Sequence, residues 1–199
     1  MWRVLSKIIS GVFSPLLIPT YMYATLIYSS YLAILPINSI VIFIGTLAFF
    51  TAIIPLVAIA WNKNNIENYN NKSSLYPFFI TGVCYIFFTY ILLKLGIPLW
   101  ISSFMISGVV ILFLLAILKK SYNISIHMAA FGAYLGTIFA IAKIQGNISS
   151  DFIALVFIIG GILGSSRAYL KRYTPGEIIT GAMLGFVWCY FLAIILNTI

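Results

Sequence analysis

Few residues in this sequence can do chemistry, and they crowd into two stretches. From Ser165 to Phe186 the chain reads SSRAYLKRYTPGEIITGAMLGF, which sets Arg167, Tyr173 and Glu177 between two apolar runs. The second stretch, NISIHMAAFGAYLG, holds Ser125 and His127, the single histidine of the chain. Arginine offers a permanent positive charge and a fork of N–H donors. Serine adds a hydroxyl, and histidine can hold or release a proton near neutral pH. Charge plus donors suits an anion such as a phosphate monoester or diphosphate headgroup. No metal-ligand cluster and no glycine-rich phosphate loop is visible, so neither a metal nor another cofactor is expected.

Each residue also has an ordinary reading. An arginine at the end of an apolar span often reaches out to lipid headgroups. A lone histidine near an interface is often simply packed there. Tyr173 beside two basic residues is a common interfacial anchor. Glu177, two residues after Pro175, is a first-turn acid favoured by the helix dipole. The case for a site rests on the spacing of the set.

The elements that carry these residues follow from composition. The chain has 199 residues, 63% hydrophobic and 7% charged. Its mean hydropathy is +1.13. Soluble domains carry about a quarter charged residues, so this is an integral membrane protein. Long uninterrupted apolar runs, rather than short alternating segments, indicate helices and not a barrel. Cys84 and Cys189 lie mid-span and read as small packed hydrophobes. No signal-peptidase site is convincing, so the first apolar run is expected to remain as a helix.

Residues 8–33 form a first span interrupted by Pro15 and Pro19, which kink it or make it re-entrant. Further spans are expected at 38–60, 75–94, 98–118, 124–142, 151–168 and 175–197. The fold class is therefore an all-α polytopic membrane protein of one domain over 1–199, a bundle of six or seven helices. Pro175 suits the first turn of the last helix. The segment at 62–74 is the only strongly polar stretch and reads as a loop. Gly132 with Gly136, Gly160 with Gly164, and Gly181 with Gly185 let backbones approach closely, so the last three spans are expected to form one tight bundle.

Alternation of seven spans puts Arg3, Lys7, Lys63, Lys72, Lys119, Lys120, Arg167, Lys171 and Arg172 on one side, against Lys94 and Lys143 on the other. The positive-inside rule makes the basic side, which also carries His127, cytoplasmic. Helix N-termini on that side add partial positive charge and free N–H groups.

With these positions in view, the run from Ser166 resembles a signature of the type-2 phosphatidic acid phosphatase superfamily. The family's third motif is S-R-x5-H-x3-D. Here Ser166 and Arg167 are followed by Tyr173 at the histidine and Glu177 at the aspartate. Ser125 and His127 match two positions of the second motif, P-S-G-H. The resemblance covers roughly residues 60–190 and is nearest to short bacterial members. It implies a phosphatase-like core in a bacterial cytoplasmic membrane, with His127 and Arg167 facing one pocket.

The resemblance also assigns roles. It makes Arg167 and Ser125 phosphate-binding residues and His127 the general acid. Glu177 stands where a carboxylate orients the nucleophile, and Tyr173 stands at the nucleophile itself. The first motif, K-x6-R-P, is reduced to Pro77, with Ser74 at the arginine and Lys72 or Lys63 as alternative sources of charge. A neutral imidazole attacks readily near pH 7, whereas a phenol keeps its proton up to about pH 10. The expected function is binding of an anionic phospholipid or polyprenyl-phosphate headgroup with impaired or absent catalysis. The alternatives are an active membrane lipid phosphatase, a structural subunit with membrane-protein partners and, more weakly, a small transporter. Membrane lipids are the expected partners, and nucleic acid is not.

Overall fold

The computed structural model describes residues 11–65, 75–118, 122–146, 148–170 and 173–198. All regular structure among them is helical: α1 (Ile18–Ser29), α2 (Ile37–Ala48), α3 (Ile54–Asn65), α4 (Tyr76–Lys94), α5 (Leu99–Leu118), α6 (Ile126–Gln145), α7 (Ser150–Tyr169) and α8 (Pro175–Asn197). A π-helical turn, Phe49–Ile53, joins α2 to α3. In that turn the Ile54 N–H reaches back five residues to the Phe49 carbonyl. Pro55, next in line, has no N–H and its ring would crowd the preceding turn. The wider turn makes room, and the span stays continuous.

Among the described residues six helical segments are long and apolar enough to cross a membrane, beginning with Ile37–Trp61 and ending with Pro175–Asn197. The first apolar run departs from the expected single span over 8–33. Pro15 falls in a turn, and α1 starts only at Ile18 with Pro19 in its first turn, where a missing N–H costs nothing. At 12 residues α1 is about 18 Å long, well short of the roughly 30 Å hydrocarbon core. It ends in a 3-10 turn, Tyr31–Ile34. Half of its residues are buried, and the Tyr23 hydroxyl donates to the Ile101 carbonyl at 3.0 Å. So α1 is an inserted short helix, packed chiefly on α6.

The tightest contact in the molecule is between α6 and α8, which run parallel. A Cβ on Gly132 would collide with the Ala182 carbonyl, and one on Gly185 with the Ala129 carbonyl. One on Gly136 would lie 2.6 Å from the Phe186 oxygen. The expected bundle of the last three spans is therefore a tight pair with a looser third member. Gly160 and Gly164 of α7 meet side chains, those of Phe131, Met128 and Ile178, rather than backbone. The second helix held closely to α8 is α5. Ser107 of α5 and Thr137 of α6 both reach the Cys189 sulfur of α8, at 3.4 and 3.2 Å. Cys189 is thus a polar link as well as a small packed residue.

Candidate functional site

The two motif stretches meet where α6 and α8 begin. The Ser125 N–H donates to the Glu177 carbonyl at 3.3 Å, and a Cβ on Gly181 would lie 2.8 Å from the Ser125 oxygen. Close packing along the glycine seam therefore fixes the second stretch against the third. Helix α7 runs past both in the opposite direction: Gly160 lies beside Phe131, and Gly164 beside Met128 and Ile178. Continuing that register by one turn brings Arg167 level with Ser125 and Pro175.

Arg167 belongs to the inward stripe of α7, with Val156, Gly160 and Leu163. It is 3% exposed, so it does not reach outward to the headgroups as a span-end arginine commonly does. A guanidinium is costly inside a membrane bundle and marks a functional position by default. Ser125 occupies the N-cap of α6, yet its hydroxyl makes no cap hydrogen bond. The residue is 0% exposed and its Oγ has no hydrogen-bond partner. Buried hydroxyls are normally satisfied. The hydroxyl therefore remains able to donate to and accept from another group.

Glu177 is differently employed. Its Oε2 accepts the Thr174 N–H at 2.7 Å, while the Glu177 N–H donates to the Thr174 hydroxyl at 3.4 Å. This is a capping box, formed because Thr174 and Glu177 are three residues apart at a helix start. The carboxylate is engaged with its own helix end. Tyr173, just before the cap, is half-buried and packs against the core.

His127 is half-buried and lines a partly open cavity of about 320 Å³. The cavity lies between α1, α3, α4, α5 and α6, with Pro19, Met22, Tyr85, Met105 and Leu112 among its walls. Arg167, Ser125, Tyr173 and Glu177 are not among its described lining residues. His127 thus lines this cavity, while Arg167 and the α8 cap lie outside its described lining.

Lys72 and Ser74, the remaining candidates for phosphate contact, lie outside the described residues, as do Lys119, Lys120, Lys171 and Arg172. For Lys63 the helix is described but not the side chain. Among the described residues no group of three or more His, Cys, Asp or Glu is arranged to hold a metal ion. Sequence reasoning missed the cavity because its walls come from five helices distant along the chain, α3 contributing Ile59. Only the break at Pro15 and Pro19 hinted that α1 would leave space beside it.

Comparison of the chain with protein-family models, curated proteins and solved structures gives no match.

Proposed function

We propose that this chain is a phosphatase-like membrane protein that binds the anionic headgroup of a phospholipid or polyprenyl phosphate without efficient turnover, on the cytoplasmic side of the membrane. The observation that supports the reading is the buried Ser125 hydroxyl with no hydrogen-bond partner, at the start of α6, with a buried Arg167 near the end of α7. A phosphate oxygen would satisfy the hydroxyl, and its hydrogen bonds to a guanidinium would be charge-assisted and stronger than neutral ones. Two features argue for binding over catalysis. Tyr173 stands at the attacking position of the motif, and Glu177, which would have to orient a nucleophile, serves as a helix cap.

The test is binding by the purified protein, with farnesyl phosphate, phosphatidic acid, inorganic phosphate and farnesol as probes. Both lipid phosphates should bind more tightly than the alcohol, and inorganic phosphate more weakly than either lipid. Arg167→Gln should weaken lipid-phosphate binding tenfold or more, in line with about 1.5–3 kcal/mol for a hydrogen bond to a charged group. Ser125→Ala should have a smaller effect. Phosphate and alcohol binding equally well, with neither variant changing affinity, would overturn the reading.

A further inference from the structure

We propose that the cavity beside His127 is a second binding site, for a neutral apolar molecule that carries a carbonyl oxygen, and that the Tyr85 hydroxyl donates to that oxygen. The site does not depend on the headgroup reading above. It follows from comparing the three buried hydroxyl side chains in the cavity wall, Tyr23, Thr81 and Tyr85, which are 1%, 5% and 5% exposed. Main-chain carbonyls satisfy the first two. The Tyr23 hydroxyl donates to Ile101 at 3.0 Å, and that of Thr81 to Pro77 at 2.7 Å. Among the described residues nothing bonds to the Tyr85 hydroxyl. Nor is its oxygen enclosed by packing, as those of Ser102 and Ser125 are, so it borders open space, and the space beside it is the cavity.

Position makes that hydroxyl costly. Tyr85 stands nine residues after Tyr76, the first residue of α4, and so about 13–14 Å along the helix. That is near the middle of a hydrocarbon core of roughly 30 Å, away from both headgroup layers. A hydroxyl with no partner there loses the hydrogen bonds that water would give it. Phe78 and Phe88 share the buried side of α4, and a phenylalanine at 85 would avoid the cost. The ring is closely seated as well: a Cβ on Gly108 of α5 would come within 3.0 Å of two of its carbons. Elsewhere the wall is largely apolar, with Met22, Met105, Ile111 and Leu112, which asks for an apolar ligand body. Apolar walls with a few placed polar groups are the usual make-up of a small-molecule site. A phenol donates one hydrogen bond, and a carbonyl accepts it without needing a donor in return. A charged ligand group at this depth would go unsolvated.

The test uses the unmodified full chain in detergent, with benzophenone as a photoreactive probe that bears a carbonyl and reacts readily with methionine. Crosslinks are expected at Met22 and Met105, which line the cavity and are 4% and 1% exposed. Fluorenone and fluorene, alike in shape but with and without the carbonyl, then compete with the probe. The readout is the ratio of their competing concentrations, compared between proteins in the same micelles. Tyr85→Phe should shift that ratio against fluorenone by roughly three- to tenfold, as for the loss of one neutral hydrogen bond. Tyr90→Phe, on the exposed side of the same helix, should leave it unchanged. An equal ratio in the unmodified protein and Tyr85→Phe would overturn the proposal. So would crosslinks confined to Met183, which is exposed on α8. A third overturning result needs no variant: crosslinking at Met22 and Met105 that excess fluorenone fails to reduce.

Discussion

At the level of single residues, the proposed absence of turnover rests on Tyr173 and Glu177. A phenol must be deprotonated before it attacks phosphorus, and a carboxylate placed to assist an imidazole would repel the developing phenolate. Here the carboxylate is moreover held by the Thr174 N–H at 2.7 Å. The unmodified protein should therefore release no measurable phosphate from phosphatidic acid or a polyprenyl diphosphate. Losing a covalent nucleophile commonly removes several orders of magnitude in rate. Tyr173→His alone should restore little, because Ser74 stands where the motif expects an arginine. The triple change with Ser74→Arg and Glu177→Asp offers the best recovery. Phosphate release assayed on all three proteins checks this. Robust release by the unmodified protein that survives Tyr173→Phe would point to His127 as nucleophile, and release abolished by that change would point to the tyrosine itself.

Among the elements, the α6–α8 seam and the cap of α8 hold the site in register. Gly185→Leu must push main chains apart, since even a Cβ would meet the Ala129 carbonyl. It should cost at least about 1–3 kcal/mol, the usual range for overpacking. Gly161→Leu, on the open face of α7 with nothing within 4 Å, should stay within about 0.5 kcal/mol. Thr174→Ala removes one side of the capping box and should cost about 1 kcal/mol. Unfolding in mixed micelles measures all three, and equal losses for the two glycine variants would defeat the seam argument. The seam was legible in the sequence because small residues at four-residue spacing have one obvious use in a membrane. The start of α8 was legible too, from Pro175 and the first-turn acid Glu177, while the capping box with Thr174 was not read. What escaped was the lesser role of α7: Gly160 and Gly164 carry the same spacing, yet the side chains they face, Phe131 and Met128, hold the backbones apart. Spacing reports what a helix can do, while the partner's residues decide what it does. The fate of the first run was open for a similar reason. Pro15 and Pro19 announce a break, but only packing against α6 turns the remainder into an inserted helix.

For the whole molecule the question is which way it faces. Because one-pass helices alternate, the connections after Ile37–Trp61, after α5 and after α7 share a face whether or not the first run crosses. Ser125, His127, Arg167 and Glu177 therefore stay together on that face in either case. The basic residues around these connections outnumber those at the opposite connections, which carry only Lys94 and Lys143. The positive-inside rule would put this face in the cytoplasm, and a lipid bound as proposed would then be drawn from the inner leaflet. Part of the bias comes from Arg167, which is buried and serves the site, so it should not be counted as a loop charge. Omitting it leaves Lys63, Lys72, Lys119, Lys120, Lys171 and Arg172 beside these connections, six against Lys94 and Lys143, or against four where the first run does not cross and Arg3 and Lys7 join the opposite side. In a protein with its own two cysteines replaced, single changes Lys72→Cys and Lys120→Cys should resist a membrane-impermeant thiol reagent in intact cells and react after permeabilisation. Lys94→Cys and Lys143→Cys should react without it. The reverse pattern would turn the site outward and make the outer leaflet its source of lipid, leaving the binding chemistry of Arg167 and Ser125 as described.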